Sequence, residues 1–127
     1  MKISNDFKKF HLHDGGMNQI LYDANTKRLV LTIELAYTSP PEFGRTGQMI
    51  FSGVEHLSAD PPLEDINWID DVWGEIDTGD HIPDQDIGRL EAMLWYIRLY
   101  RRGHSYTEAY MLNLRFLAES FEWIPDK

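Results

Sequence analysis

The chain contains no cysteine. That excludes disulfides, thiolate zinc sites and cysteine nucleophiles. No window approaches the ~18 uninterrupted apolar residues of a membrane-spanning helix. The opening MKISNDFKKF has no apolar run of signal-peptide length, so a cytoplasmic protein with no membrane partner is expected. Positive charge is scarce: 12 lysines and arginines stand against 21 aspartates and glutamates, a net charge of −9 with neutral histidines. Binding nucleic acid requires basic side chains on phosphates, so no nucleic-acid partner is expected. There is no glycine-rich loop ending in G-K-[ST] and no G-x-S-x-G nucleophile elbow.

What is present is a globular composition. Hydrophobic residues make up 43% of the 127 and aromatics 13%, too apolar for a disordered chain and of a length for one domain, 1–127. Phe10 and Leu12 alternate with His11 and His13, which predicts a half-buried strand over 8–13 with both histidines on the solvent face. Gly15-Gly16 ends it. Strand signals follow at 17–23 and 28–36, joined by an Asn-containing turn. In the second, Leu29, Leu31, Ile33 and Leu35 share one face, and Val30, Thr32 and Ile33 add β-branched stiffness. These two form an antiparallel hairpin. A further strand is predicted over 48–57, with Gly53 marking a bulge or a close backbone approach.

Charge is segregated along the chain. Residues 46–88 hold eleven acidic residues and no lysine or arginine, so the remainder is slightly positive. Ile66, Trp68, Ile69, Val72, Trp73 and Ile76 punctuate this stretch, which predicts a folded region presenting an acidic face. The only basic cluster, Arg98, Arg101 and Arg102, is expected to balance that acidity.

Residues 89–124 carry two patterns. Leu90, Met93, Leu94, Ile97 and Tyr100 fit a helical stripe, and Ser105-x-x-Glu108 fits a capping box. Alternation of Met93, Trp95, Ile97 and Leu99, and of Leu112, Leu114 and Phe116, predicts strands over 93–100 and 110–117. A helix over 109–123 would be apolar on every side, so strands are preferred. The expected fold is mainly β, with antiparallel sheets forming a sandwich or one strongly curved sheet. The alternative is an α+β chain with one or two C-terminal helices in 89–124.

Three constellations bear on chemistry. His11-x-His13-Asp14 would place two imidazoles on one side of a strand beside an oxygen ligand, the rudiment of a metal site. Two ligands make a weak motif, and two solvent-facing histidines before a turn is the plainer reading. Asp77-Thr78-Gly79 is the aspartic-protease tripeptide, but that chemistry needs a paired, dry carboxylate dyad, and here Asp80 and His81 follow directly. An acidic surface turn closed by Gly79 is expected instead. The run DTGDHIPDQD lacks the spacing and distal glutamate of an EF-hand loop, so no calcium and no other cofactor is expected.

The layout of several segments resembles a known set of domains. His13-Asp14 precedes the LYD-ANTKR-LVLTIEL hairpin, Ile50-Phe51-Ser52-Gly53-Val54-Glu55-His56-Leu57 gives an F-x-G-V-x-x-L strand, and LNLRFLAESFEWIP closes the chain as a strand pair. This resembles small bacterial β-rich domains that include polymorphic-toxin immunity proteins of the immunity protein 50 type. The likeness covers residues 1–57 and 108–127; the acidic stretch 60–88 has no counterpart, and no catalytic residue carries over. The resemblance implies a β-rich fold and a binding role.

The resulting expectation is a non-catalytic protein-binding module of the immunity-protein type. Its partner would be a basic protein docked on Asp70, Asp71, Trp73, Glu75, Asp77 and Asp80, where a one-signed field speeds encounter and an aromatic ring anchors the complex. The alternatives are a metal-dependent enzyme using His11, His13 and Asp14, and a structural or oligomerising domain with no ligand. The sequence leaves the oligomeric state open.

Overall fold

A computed structural model describes residues 7, 9–66, 72–82, 90–101 and 109–126. It is built almost entirely of strands: β1 (Gly16–Asp23), β2 (Arg28–Glu34), β3 (Thr46–Ser52), β4 (Glu55–Asp60), β5 (Val72–Ile82), β6 (Glu91–Arg101), β7 (Tyr110–Ala118) and β8 (Ser120–Pro125). Two single 3-10 turns, Pro41–Phe43 and Leu63–Asp65, interrupt them. Every ladder is antiparallel, in the order β4-β7-β6-β5-β1-β2-β3-β8. Among the described residues no helix is long and apolar enough to cross a membrane.

The sheet is strongly curved because the two ends of its order belong to the same two kinked strands. Only Gly53 and Val54 separate β3 from β4, and only Glu119 separates β7 from β8. Pairing runs from Ser52–Ser120 in one ladder to Glu55–Leu117 in the other. Across the corner, the Glu119 N–H donates to Ser52 O at 3.0 Å and the Val54 N–H to Lys27 O at 2.9 Å. Gly53 turns this corner at φ 66°, where a Cβ would fall 2.6 Å from Cγ of Glu119. The interruption expected at Gly53 is thus a bend that divides one predicted strand into two and carries it from one end of the sheet order to the other.

The concave face encloses one core. Leu29, Leu31 and Ile33 of β2, Met93, Trp95, Ile97 and Leu99 of β6, and Leu112, Leu114, Phe116 and Ala118 of β7 all point into it. Each buried aliphatic side chain contributes about 1.5–3 kcal/mol relative to exposure. The strand reading of 93–100 and 110–117 therefore holds, and the helical alternative does not occur at these positions. Ser105 and Glu108, the expected capping box, lie outside the described residues.

Two expectations need correction. Residues 9–15 form turns rather than a strand: the Phe10 N–H donates to Phe7 O at 3.1 Å and the Gly15 N–H to Leu12 O at 2.9 Å. The alternating apolar residues of this segment pack into the core instead of lining a pleat. Phe7 contacts the rings of Phe51, Trp95 and Phe121, and Phe10 stacks on Phe43 at 4.5 Å.

Asp77-Thr78-Gly79 is the second correction, since it lies inside β5 and not in a turn. The register shifts between Ile76 and Thr78, leaving Asp77 as the extra residue of a bulge. Gly79 sits where a Cβ would meet the Trp95 ring at 2.9 Å, so its role is to admit that ring.

Candidate functional site

The β1–β5 ladder is short. Among the described residues it holds only Gly16–Glu75 and Met17–Gly74, whereas β5 and β6 pair from Val72–Arg101 to Ile82–Ala92. On the convex side of this seam lies a cleft of about 1010 Å³, bounded by the 11–16 turn, the end of β2 with the segment after it, and the start of β5.

Register builds its floor. Gly16 is paired with Glu34 on one side and with Glu75 on the other. The two glutamates are therefore two strand spacings apart, about 10 Å between backbones, with no side chain between them. A Cβ on Gly16 would lie 3.5 Å from Glu34 Cβ and 3.8 Å from Glu34 Oε2, so that oxygen leans toward the gap. Gly15 is needed for a different reason. A Cβ there would stand 2.9 Å from the carbonyl oxygens of Glu34 and Leu12. That close approach lets the turn be clipped to β5, with Asp14 N–H donating to Ile76 O at 3.0 Å and Ile76 N–H to Gly15 O at 2.7 Å.

Aromatic rings flank both carboxylates. Trp73 and Glu75 are half-buried neighbours on the same face of β5, and Trp73 stacks on Tyr100 at 4.6 Å and 25°. The Tyr100 hydroxyl donates to Glu75 Oε2 at 3.4 Å. At the other side Tyr37 is 87% exposed, and the Arg45 guanidinium lies 3.8 Å above its ring while donating to Glu34 Oε1 at 3.0 Å. Hydrogen bonding to Tyr37, then to Glu34, raises the Arg45 pKa above its usual value.

His13 ties the turn to the β5 bulge. Its Nδ1–H donates to Asp77 O at 2.7 Å, and Nε2 lies 3.5 Å from Asp14 Oδ1. The bond to the Asp77 carbonyl, followed by the nearby Asp14 carboxylate, raises the His13 pKa above 6.5. The Asp77 carboxylate faces the other way, 3.5 Å from an Arg98 guanidinium nitrogen. A bond to Tyr100 and the charge of Asp77 raise the Arg98 pKa as well. Arg98 thus balances part of the acidic stretch; Arg102 and the side chain of Arg101 lie outside the described residues.

The cleft unites two groups of residues that the sequence keeps apart. His11, His13 and Asp14 line it from one side, and Trp73 and Glu75 from the other. Asp77 stands behind this wall, while Asp70, Asp71 and the side chain of Asp80 lie outside the described residues. Among the described residues no group of three or more histidines, aspartates and glutamates is close enough to hold a metal ion. The sequence reading did not single out Glu34, Tyr37, Arg45 or Gly16 as site residues. The signal available was Glu34, a lone carboxylate among the apolar and β-branched residues of LVLTIEL. Comparison of the chain with protein-family models, curated proteins and solved structures finds no match.

Proposed function

We propose that this protein is a non-catalytic protein-binding module whose cleft at the β1–β5 seam docks a basic partner, in the manner of an immunity protein. The observation that carries the reading is the cleft itself, which sets Glu34 and Glu75 around an empty floor beside the Trp73 ring in a chain of net charge −9. A negative field of this kind attracts a cationic protein and speeds encounter. A half-buried tryptophan at the edge of a concavity is the residue type that anchors such complexes. The resemblance of the hairpin and of the final strands to toxin-immunity domains supports the same reading.

The test takes the product of the neighbouring gene as partner and measures association and dissociation rates at low and high salt. Association should slow steeply with salt and slow further in the Glu34→Gln, Glu75→Gln double variant. Dissociation should speed up in Trp73→Ala, which removes the anchoring ring. Association indifferent both to salt and to the double substitution would overturn the reading.

A further inference from the structure

We propose that the cleft floor is a seat for one arginine side chain of that basic partner, its guanidinium lying over Gly16 between the carboxylates of Glu34 and Glu75 and against the Trp73 indole. The inference rests on the binding role argued above and names the group that is recognised.

The shape of the floor comes first. Gly16 is the middle residue of a row that crosses three strands, Glu34–Gly16–Glu75, and its missing side chain leaves an opening with a glutamate on each side, Oε2 of Glu34 leaning into it. Filling it demands donors that point in opposite directions within one plane. A guanidinium carries five N–H donors in a flat fork spread over three nitrogens, whereas an ammonium is a compact, strongly hydrated point charge whose three donors diverge from one nitrogen and span a wide gap less well. The Trp73 ring beside Glu75 supplies a face on which a flat cation stacks.

Acceptor capacity remains on both glutamates. Arg45 engages Oε1 of Glu34, and Oε2 is the oxygen that leans over Gly16. Arg98 stands directly opposite Glu75 in the β5–β6 ladder but directs its guanidinium to Asp77. Glu75 receives a long bond from Tyr100, and an ionised carboxylate accepts about four in all.

The cleft also contains its own precedent. Arg45 already lies with its guanidinium 3.8 Å above an aromatic ring and 3.0 Å from a glutamate oxygen. Trp73 and Glu75 repeat the combination of ring and carboxylate on the opposite wall, with the opening over Gly16 in front of them.

The experiment titrates the intact chain with a blocked tetra-arginine peptide and with its tetra-lysine counterpart. Gly16→Val closes the floor without altering charge and suits a strand. Gly16→Ala is the milder version, since its Cβ meets only ordinary contacts. Glu75→Gln removes one acceptor, and Glu122→Gln, an exposed carboxylate outside the cleft on β8, is the control. The arginine peptide should bind at least fivefold more tightly than the lysine peptide. Gly16→Val and Glu75→Gln should each weaken it at least tenfold, Gly16→Ala should weaken it less, and Glu122→Gln should leave it within twofold. Equal binding of the two peptides, no binding of either, or indifference to both Gly16 substitutions would overturn the arginine seat. Those results leave the partner's salt-dependent association standing, and a partner whose association is indifferent both to salt and to the Glu34→Gln, Glu75→Gln double substitution overturns docking at the cleft whatever the peptides do.

Discussion

The walls of the molecule contrast with its seam. Along β5–β6 and β6–β7 the ladders run nearly the full length of the strands, and β6 and β7 turn mostly large apolar residues inward. At β1–β5 two residue pairs among the described residues hold the sheet together, and the backbones approach through glycines: Gly15, Gly16 and Gly74. The walls bury side chains, and the seam leaves room. A cleft opens where pairing is short and side chains are missing, and the ladders on either side hold its charged groups in place.

The sharpest break between the two regions should come from a core residue. Trp95 is 1% exposed and in ring contact with Phe7 and Phe51, so Trp95→Ala should lower stability by about 3–5 kcal/mol, read as a shift of the denaturant midpoint. Trp73→Ala, half-buried and stacked on one ring, should lose only the ~0.5–1.5 kcal/mol of an aromatic pair beyond its modest burial. If the two substitutions cost the same, Trp73 belongs to the core and not to the cleft.

Within the seam, two glycines should diverge. Gly74 faces inward, and a Cβ there would fall 2.6 Å from Ile97 Cγ2, so Gly74→Ala should cost about 1–3 kcal/mol through overpacking. Gly16 faces the cleft with ordinary contacts, so Gly16→Ala should be neutral or stabilise by about 0.4–1 kcal/mol through a less flexible unfolded chain. Thermal unfolding of both variants measures the difference, and a Gly16→Ala loss as large as that of Gly74→Ala would mean that the floor is packed.

The smallest effect belongs to His13. Its folded pKa is raised above 6.5 by the Asp77 carbonyl and by Asp14. Stabilisation from the charged ring is therefore fully present below pH 6.5 and is lost as pH rises through the raised folded value. The difference in melting temperature between the wild type and His13→Ala should be greatest at acid pH and shrink across that window. Because the ring is exposed, the effect should be small. A gap that widens with rising pH would contradict the assigned contacts.

The contrast between wall and seam also separates what the sequence reveals from what it conceals. Alternation exposes β2, β6 and β7 because large apolar residues occupy successive inward positions: Leu29, Leu31 and Ile33; Met93, Trp95, Ile97 and Leu99; Leu112, Leu114 and Phe116. In β5 the inward positions include Gly74 and Gly79, so among its described side chains Val72 and Ile76 carry the pattern and acidic residues dominate the reading. The segment around Phe10 and Leu12 alternates as a strand does, yet its apolar side chains pack into the core from a turn, and alternation has no way to distinguish the two. Trp73 and Glu75 stand out by residue type. Glu34 and Gly16 do not, because what makes them a site is the register that sets them in one row, and register is a property of pairing rather than of spacing along the chain.

The most direct test of the account is a map of backbone amide shifts in the intact chain on addition of the tetra-arginine peptide. The account predicts saturable shifts centred on Gly16, Glu34, Trp73 and Glu75, with little change at the exposed carboxylates of Glu64 and Glu122. Shifts scattered over acidic residues all around the molecule, or absent from the β1–β5 seam, would contradict it.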